Sequence, residues 1–421
     1  MRKLLLTVLV CACMAVFSGC QTVQDKAPVS SGNTETMGND GRPLAEPEPM
    51  KANDETRGNS GRSLAQPKPV DAGYEIMGDN GAPMEDAELM GSNAPVMGGN
   101  KKPLPKHMAK RADSDTGKIA VLILTGAGGH AWEEAVPTLQ AILQQTGRFE
   151  VDRIDGPERS GNAGEISPEW LKWQPPPFSD YDVVISHYEE QWPDAVAESL
   201  VEFVRAGGGI VSIHQQISAV PNRDLIGIAW AESSTGYKLH VNDDTGEVVY
   251  LPPHHGPGPG HGRQHEFLVK TRQPDHPVMK GLPKEWLHGK DELYHGFRGP
   301  AGNLTVLATA FSDTAQWGTG FHEPVVWTVD FGEGRAFLTV LGHRFWSGYE
   351  YDPSHGIIDP GENGTDALYC VGFQTIFARG TEWAATGKVT IPIPKEFPTE
   401  AKTSLVEPGK MSWERKNSYD R

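Results

Sequence analysis

A run of three glycines, Gly207 to Gly209, leads into the short β-branched stretch Ile210 to Ile213, which ends abruptly on His214. In many α/β enzymes the tight turn leaving such a strand carries a Ser or Cys nucleophile. An imidazole there can instead take up and return a proton near neutral pH, or ligate a metal through a neutral nitrogen. Two further imidazoles follow apolar runs in the same way: His130 in "TGAGGHAWEE" and His187 after "VVIS". Taken singly, each is as readily a packing or capping histidine. Three at strand exits carry more weight, because those exits gather on one edge of a parallel sheet. Gly126 to Gly129 has neither dinucleotide spacing nor a following Lys-Ser/Thr, so it makes a poor phosphate cradle.

Further along, "LPPHHGPGPGHGRQHEFLVK" holds His254, His255, His261 and His265, a Gly/Pro-rich loop able to offer imidazole ligands but without a fixed ligand spacing. His261 and His265 lie nearest the strand that follows. "WLHGKDELYHGFRGP" brings Asp291, Glu292, Tyr294 and His295 together, "GTGFHEPVVW" adds His322 and Glu323, and His343 stands just past the strand in "LTVLGHRFW". The plainer readings are an acidic pair at a helix start for Asp291 and Glu292, and a backbone-bonded strand-end residue for His343.

These residues need a scaffold. Lys118 to Thr125 is apolar without alternation, as in a strand buried on both faces. Glu133 to Gln145 places Ala135, Leu139, Ile142 and Leu143 on one helical side. Strands at Phe149–Ile154, Tyr181–Ser186 and Ile210–Ile213 alternate with a helix at Ala195–Arg205. Such alternation predicts an α/β doubly wound, mostly parallel sheet. "HEFLVK", "LTVLATA", "PVVWTVDF" and "GRAFLTVLG" read as later strands, some antiparallel, and a helix around Asp366 to Ala378 closes a domain spanning residues 117–390. Residues 391–421 read as a C-terminal tail.

The first residues are of a different kind. "MRKLLLTVLVCACMAVFSGC" has a basic start, an apolar centre and a small-residue exit, the pattern of a signal peptide over residues 1–19. Ser18-Gly19-Cys20 resembles a bacterial lipobox, which implies cleavage before Cys20 and lipidation of its thiol. Residues 20–116 repeat a Gly-Asn/Asp turn with a Pro-rich end and offer almost no aliphatic core, so they read as a disordered tether. Its coil reach is about 50–60 Å. Cys11 and Cys13 leave with the signal and Cys20 is lipidated, so Cys370 is left with no intramolecular disulfide partner. With 55 Asp and Glu against 38 Lys and Arg, the net charge of −17 argues against nucleic acid and against a polybasic membrane patch. The expected membrane contact is therefore the lipid on Cys20 alone, at the outer membrane or periplasmic face of a bacterial envelope.

From Lys118 to about Gly387 the chain resembles the trehalose-utilization (ThuA-like) family of the class I glutamine amidotransferase-like superfamily. The ordered stretches "HAW", "GGGIVSIH", "HGRQHEF", "DHPVMKGLP", "WLHGKDELY", "VLATA", "GTGFHEP" and "GRAFLTVLGH" carry the resemblance. It implies a three-layer flavodoxin-like sandwich and a role in disaccharide catabolism on a glycoside oxidised to a keto sugar. Where related amidotransferases hold a catalytic cysteine, this chain has His214, so a thioester route is closed. A ketone acidifies the neighbouring C–H, and a base can form an enediolate that then isomerises or eliminates. This chemistry assigns His214 as base or proton shuttle, His130 as its partner, and Glu323 or Asp291 as the carboxylate orienting an imidazole. Trp132, Trp230 and Tyr294 offer flat faces to a sugar, with Gln215, Glu292 and His322 as further substrate contacts. Two alternatives stand beside it. One is a zinc-dependent sugar hydrolase or lyase with His130, His265 and His343 as ligands; the other is a non-catalytic carbohydrate-binding lipoprotein.

Overall fold

In the computed structural model of the chain, the described residues are 117–128, 130–156, 177–190, 192–231, 236–300, 302–344, 366–411 and 413. The expected signal segment, Cys20, the tether to residue 116 and the end of the tail after residue 413 lie outside them.

The first half follows the expected alternation: β1 (Ile119–Thr125), α1 (Trp132–Gln145), β2 (Phe149–Asp155), β3 (Val183–Ser186), α2 (Asp194–Arg205) and β4 (Gly209–Ile213). A 3-10 turn (His214–Ala219) leaves β4, and α3 (Arg223–Ile226) is a single short turn. Then come β5 (Tyr237–Val241), β6 (Val248–Leu251), β7 (Gly260–His261), β8 (His265–Thr271), β9 (Glu285–Asp291), β10 (Tyr294–His295) and β11 (Arg298–Gly299). The chain closes with β12 (Leu304–Phe311), β13 (His322–Phe331), β14 (Gly334–Thr339), α4 (Asp366–Tyr369) and α5 (Val371–Thr386).

Most strands join one 12-stranded sheet, with main path β2-β1-β3-β4-β14-β13-β12-β8-β9. It has two halves. From β2 to β14 every pairing is parallel, whereas β14 to β9 is antiparallel throughout. β1 is buried along its whole length, and α1 and α5 lie together against the parallel half. Gly334 and Phe337 fall on opposite faces of β14; a side chain on Gly334 would strike Val204 of α2, while Phe337 packs on Gly380 of α5. Helices thus cover both faces, giving the three layers of an α/β sandwich.

Two sequence features find their cause in this packing. A Cβ on Gly209 would lie 2.6 Å from the Ala384 carbonyl, so the glycines before His214 let α5 cross the root of β4 at close range. The expected last helix is broken at Cys370, whose extended backbone (φ −60°, ψ 119°) forms a bridge with Leu405 and separates α4 from α5.

Much of the segment read as a tail belongs to the fold. The buried Arg379 guanidinium donates to the carbonyls of Pro277, Val278, Lys280 and Ile391, and Glu382 accepts from the backbone N–H groups of Thr390 and Ile391. The Val371 N–H donates to Ser404 O and the Val406 N–H to Tyr369 O, so the chain beyond 390 is stitched along α4 and α5. Polar Pro- and Lys-containing sequence gave no sign of this, because the attachment runs through backbone groups.

The fold sets a pH limit of its own. Burial pushes the imidazoles of His187, His240 and His276 down to about 4, so all three are neutral when folded near pH 7. In the unfolded chain they titrate near 6.5. Their folded pKa is depressed, so stability is complete above about 6.5 and falls as pH drops toward 4, because unfolding then takes up protons. The thermal midpoint should decline between pH 6.5 and 4.5, and His276→Gln should make that decline shallower. An unchanged slope in the variant would remove His276 from the account.

Candidate functional site

The carboxyl edge of the parallel half is where the exits of β1, β3, β4 and β14 meet. His214 leaves β4 with φ +49°, in the left-handed region, a conformation that costs a non-glycine residue about 1–2 kcal/mol. Three contacts hold it there. Its Nδ1–H donates to the Val340 carbonyl just past β14 (2.8 Å), its ring stacks on Tyr294 (centroids 4.5 Å, planes 19° apart), and Nε2 lies 2.7 Å from His343 Nδ1.

His343 arrives from the other side of the edge and is placed by Asp291 at the end of β9. One Asp291 oxygen accepts from the Gly342 N–H (2.8 Å) and from His288 Nε2 (2.8 Å). The other accepts from the Glu292 N–H (2.8 Å) and the His343 N–H (3.3 Å). A single buried carboxylate thus ties the segment carrying Glu292 to the segment carrying His343. Glu292 Oε2 then stands 3.1 Å from His343 Nδ1 and 3.6 Å from His214 Nε2.

His130 completes the group. Its ring meets those of His214 (4.9 Å) and His343 (5.1 Å) edge-on, and its Nδ1–H donates to Glu189 Oε1 at 2.9 Å. Gln216 donates to the same Glu189 oxygen (2.7 Å), and the Ala131 N–H donates to Arg344 O, which pins the His130 loop to the His343 loop. One donor atom from each of His130, His214, Glu292 and His343 lies within 4.8 Å of the others. These residues form a His/Glu cluster able to hold a metal ion.

The charges follow from the packing. Burial opposes ionisation of Glu292, but His343, His214 and His261 around it outweigh that and hold its carboxyl well below the usual range. Burial likewise works against a charged His214, yet Glu292 and Asp291 raise its pKa, whereas burial prevails at His343 and lowers it to about 4. The pair thus favours the protonated form of His214 and the ionised form of Glu292 relative to the isolated groups. Beneath, His288 is pushed up to about 10 despite its burial by the Cys370 thiol beside it and the bond to Asp291.

Residues 120–361 match the ThuA family, described as trehalose utilisation. A solved ThuA-like protein from Parabacteroides merdae is 35% identical, with 70% of this chain and 100% of that one covered and a TM-score of 0.60. The chain belongs to the ThuA family. A second ThuA-like structure, from Bacteroides uniformis, is 15% identical over 69% of this chain and 99% of that one, with a TM-score of 0.38. Among curated proteins, none matches.

Other residues singled out in the sequence of this ThuA-family protein fall in several places. Tyr294 is in the site but buried, with one face stacked on His214, and the half-buried Trp230 stands edge-on to it at 5.8 Å, so Trp230 is the one of the two that offers aromatic surface. Asp291 acts on backbone and on His288. Glu323 is buried and taken up by Lys238 (2.9 Å), Thr319 (2.7 Å) and the Gly296 N–H (3.2 Å). His322 faces Asp243 (3.5 Å), and Trp132 opens α1 with the Arg153 guanidinium over its ring at 5.3 Å. Gln215 is half-buried in the turn after His214. The expected zinc set is corrected at one position: His265 lies outside the cluster, its Nδ1–H bonded to Arg263 O at 2.6 Å, and His214 and Glu292 join His130 and His343 instead. Glu189, Gln216 and His288 escaped the sequence reading; the acidic residue two positions after His187, at the same strand exit as the other candidates, was the available signal for Glu189.

Proposed function

We propose that this ThuA-family chain is an enzyme of disaccharide breakdown. It removes the proton next to the ketone of an oxidised sugar and uses a zinc-type divalent ion held by His130, His214, His343 and Glu292. The observation that carries the reading is how the outer hydrogen bonds fix the inner lone pairs. His214 Nδ1 donates to a carbonyl and His130 Nδ1 to a carboxylate, so in the neutral imidazoles both Nε2 atoms carry lone pairs. Metal-bound imidazoles have this outer arrangement. Tetrahedral ligands about 2.0–2.1 Å from zinc stand about 3.3 Å apart. The edges among His214 Nε2, His343 Nδ1 and Glu292 Oε2 measure 2.7, 3.1 and 3.6 Å, around that value. Three nitrogens and one carboxylate favour an ion of the zinc type over calcium or magnesium, which prefer all-oxygen shells.

When bound, the ion supplies positive charge to the oxygen that becomes negative as the C–H proton leaves. The chain's own residues do the rest. They hold the ligands in place, keep water out of the floor of the site, and offer the half-buried Trp230 as surface for a sugar ring, with the buried Tyr294 backing His214. Position 214 carries no thiol, so glutamine hydrolysis through a thioester is not open to it. Cys20 anchors the chain at a bacterial envelope through its lipid in this reading.

The test is metal analysis of the purified full chain together with NMR of 3-keto disaccharides in deuterated water. We expect one zinc-type ion per chain and solvent deuterium at the carbon beside the ketone. Chelator dialysis should lower the rate about 10²-fold or more, since a metal charge at the reacting oxygen is worth several kcal/mol. Parental exchange in the fully metal-free chain would return the role to His214 as an unmetallated proton shuttle. Binding without any exchange across the panel would leave a carbohydrate-binding protein.

A further inference from the structure

We propose that His261 is the base that removes the substrate proton, and that Glu292 serves two masters: one oxygen for the metal cluster, the other for the base. This rests on the keto-sugar reading above. His261 belongs to β7, which pairs with β10 so that His261 lies directly across from Tyr294, their rings 5.4 Å apart; Trp230 closes a triangle with them, 6.5 Å from His261 and 5.8 Å from Tyr294. The imidazole therefore stands next to the half-buried Trp230, the ring on which a sugar would lie, with the buried Tyr294 linking it to His214 of the cluster.

Its tautomer is set locally. His261 Nδ1 is 3.0 Å from the Gly262 carbonyl, which can only accept, and 3.8 Å from Glu292 Oε1. Nδ1 therefore carries the hydrogen and Nε2 the lone pair that a base needs. Accessibility separates it from its neighbours. The His261 side chain is 22% exposed, against 13% for His130 and 2% each for His214 and His343, so it is the most open imidazole of the group. Glu292 Oε2 faces His214 and His343 while Oε1 faces His261. An imidazolium formed at His261 thus finds a carboxylate already in place, as in other His-based sites where an acidic group supports the charged ring.

The loop that carries His261 is built for position. The buried Arg298 donates through Nη2 to the carbonyls of His255 (2.5 Å) and Pro257 (3.3 Å), strapping the Gly/Pro-rich stretch from beneath. Gly296, at φ +69°, lets the Gly258 carbonyl approach to 2.1 Å from where a Cβ would be. A histidine that served only as surface would have no need of this bracing.

The step balances. The C–H bond beside the ketone breaks and its proton passes to His261 Nε2; the bonding pair becomes the C=C of an enediolate, and the carbonyl π pair moves to oxygen. His261 then returns the proton. In isomerisation it goes to the former carbonyl carbon, while the enediolate's hydroxyl proton moves to the alkoxide oxygen and the oxygen it leaves becomes the new C=O. In elimination it goes to the departing alkoxide, as the enediolate oxygen reforms C=O, the C=C pair shifts toward the β carbon and the β C–O bond breaks. No oxidant or reductant is consumed.

The experiment uses the zinc-loaded full chain with 3-keto disaccharides in deuterated water, comparing the parent with His261→Gln and His261→Ala. We expect each variant to lose about 10²–10⁴ in exchange rate, the usual worth of a positioned base. Zinc stoichiometry and thermal midpoint should be unchanged, and free imidazole should partly restore His261→Ala. If the parent exchanges and His261→Gln exchanges equally fast, His261 is not the base, and the keto-sugar reading survives. If the parent exchanges with no member of the panel, the keto-sugar reading fails and this assignment with it.

Discussion

Glu292→Gln is expected to weaken zinc binding at least about 10²-fold and to take turnover with it, while the fold stays intact. Loss of a partner one shell out from a metal already costs 10–100-fold, and Glu292 is in direct reach of the ion. Glutamine keeps the size and one oxygen but removes the only negative charge within the four-residue cluster. The stability effect should be small for a physical reason: Glu292 and His214 are a coupled buried pair, each favouring the charged form of the other against its own burial. When the carboxylate becomes an amide, one of the charges that favour the protonated His214 is removed, and the pair shifts toward neutral polar groups. Swapping a buried ion pair for neutral groups of the same size is often close to neutral. The measurement is a competition titration of zinc against a chelator, with the thermal midpoint followed alongside. His265→Ala is the matching control and should bind zinc as the parent does, since its imidazole is bonded to Arg263 O away from the cluster. Parental zinc affinity in Glu292→Gln would end the four-ligand assignment.

The contrast between Glu292 and His265 shows what could be read from the sequence. His130, His214 and His343 each follow an apolar strand, and in a parallel sheet such exits share an edge, so their convergence follows from topology alone. His265 instead begins a strand in the antiparallel half, where a bulge between His265 and Phe267 breaks the register with β9. Period-two alternation cannot place a side chain across such a break. The order of the antiparallel strands was hidden for the same reason. It depends on pairings between segments far apart in sequence, such as β12 with β8, and no local pattern encodes these. His261 was visible only as one histidine in a glycine-rich loop. Its place opposite Tyr294 depends on two residues of β7 meeting two of β10, with Arg298 bracing the loop from below. Cys370 and His288 left no signal at all, because a buried thiol beside an imidazole looks in sequence like any two core residues.

Asp291→Ala should cost the fold about 3–5 kcal/mol, the range for stripping one partner from a buried ionic group. It should also abolish zinc binding in whatever fraction remains folded. The native carboxylate is 1% exposed and accepts from His288 Nε2 and from the backbone N–H groups of Glu292, Gly342 and His343. Alanine would strand a buried imidazolium and three N–H donors, and each unsatisfied donor costs about 1–3 kcal/mol before any relaxation. Relaxation has a cost of its own here, because the two segments that would drift apart carry Glu292 and His343. Asp291→Asn separates positioning from chemistry. The amide preserves volume, but Oδ2 accepts from two donors, His288 and Gly342, and an NH₂ at that place would face N–H groups, while the opposite flip breaks the bonds to Glu292 and His343. Either way the clamp loosens, so the urea midpoint and the zinc affinity should fall together. A residue that acted on the sugar directly would behave differently, losing turnover with stability and metal affinity preserved. That pattern in Asp291→Asn would move Asp291 from the scaffold of the site into its chemistry.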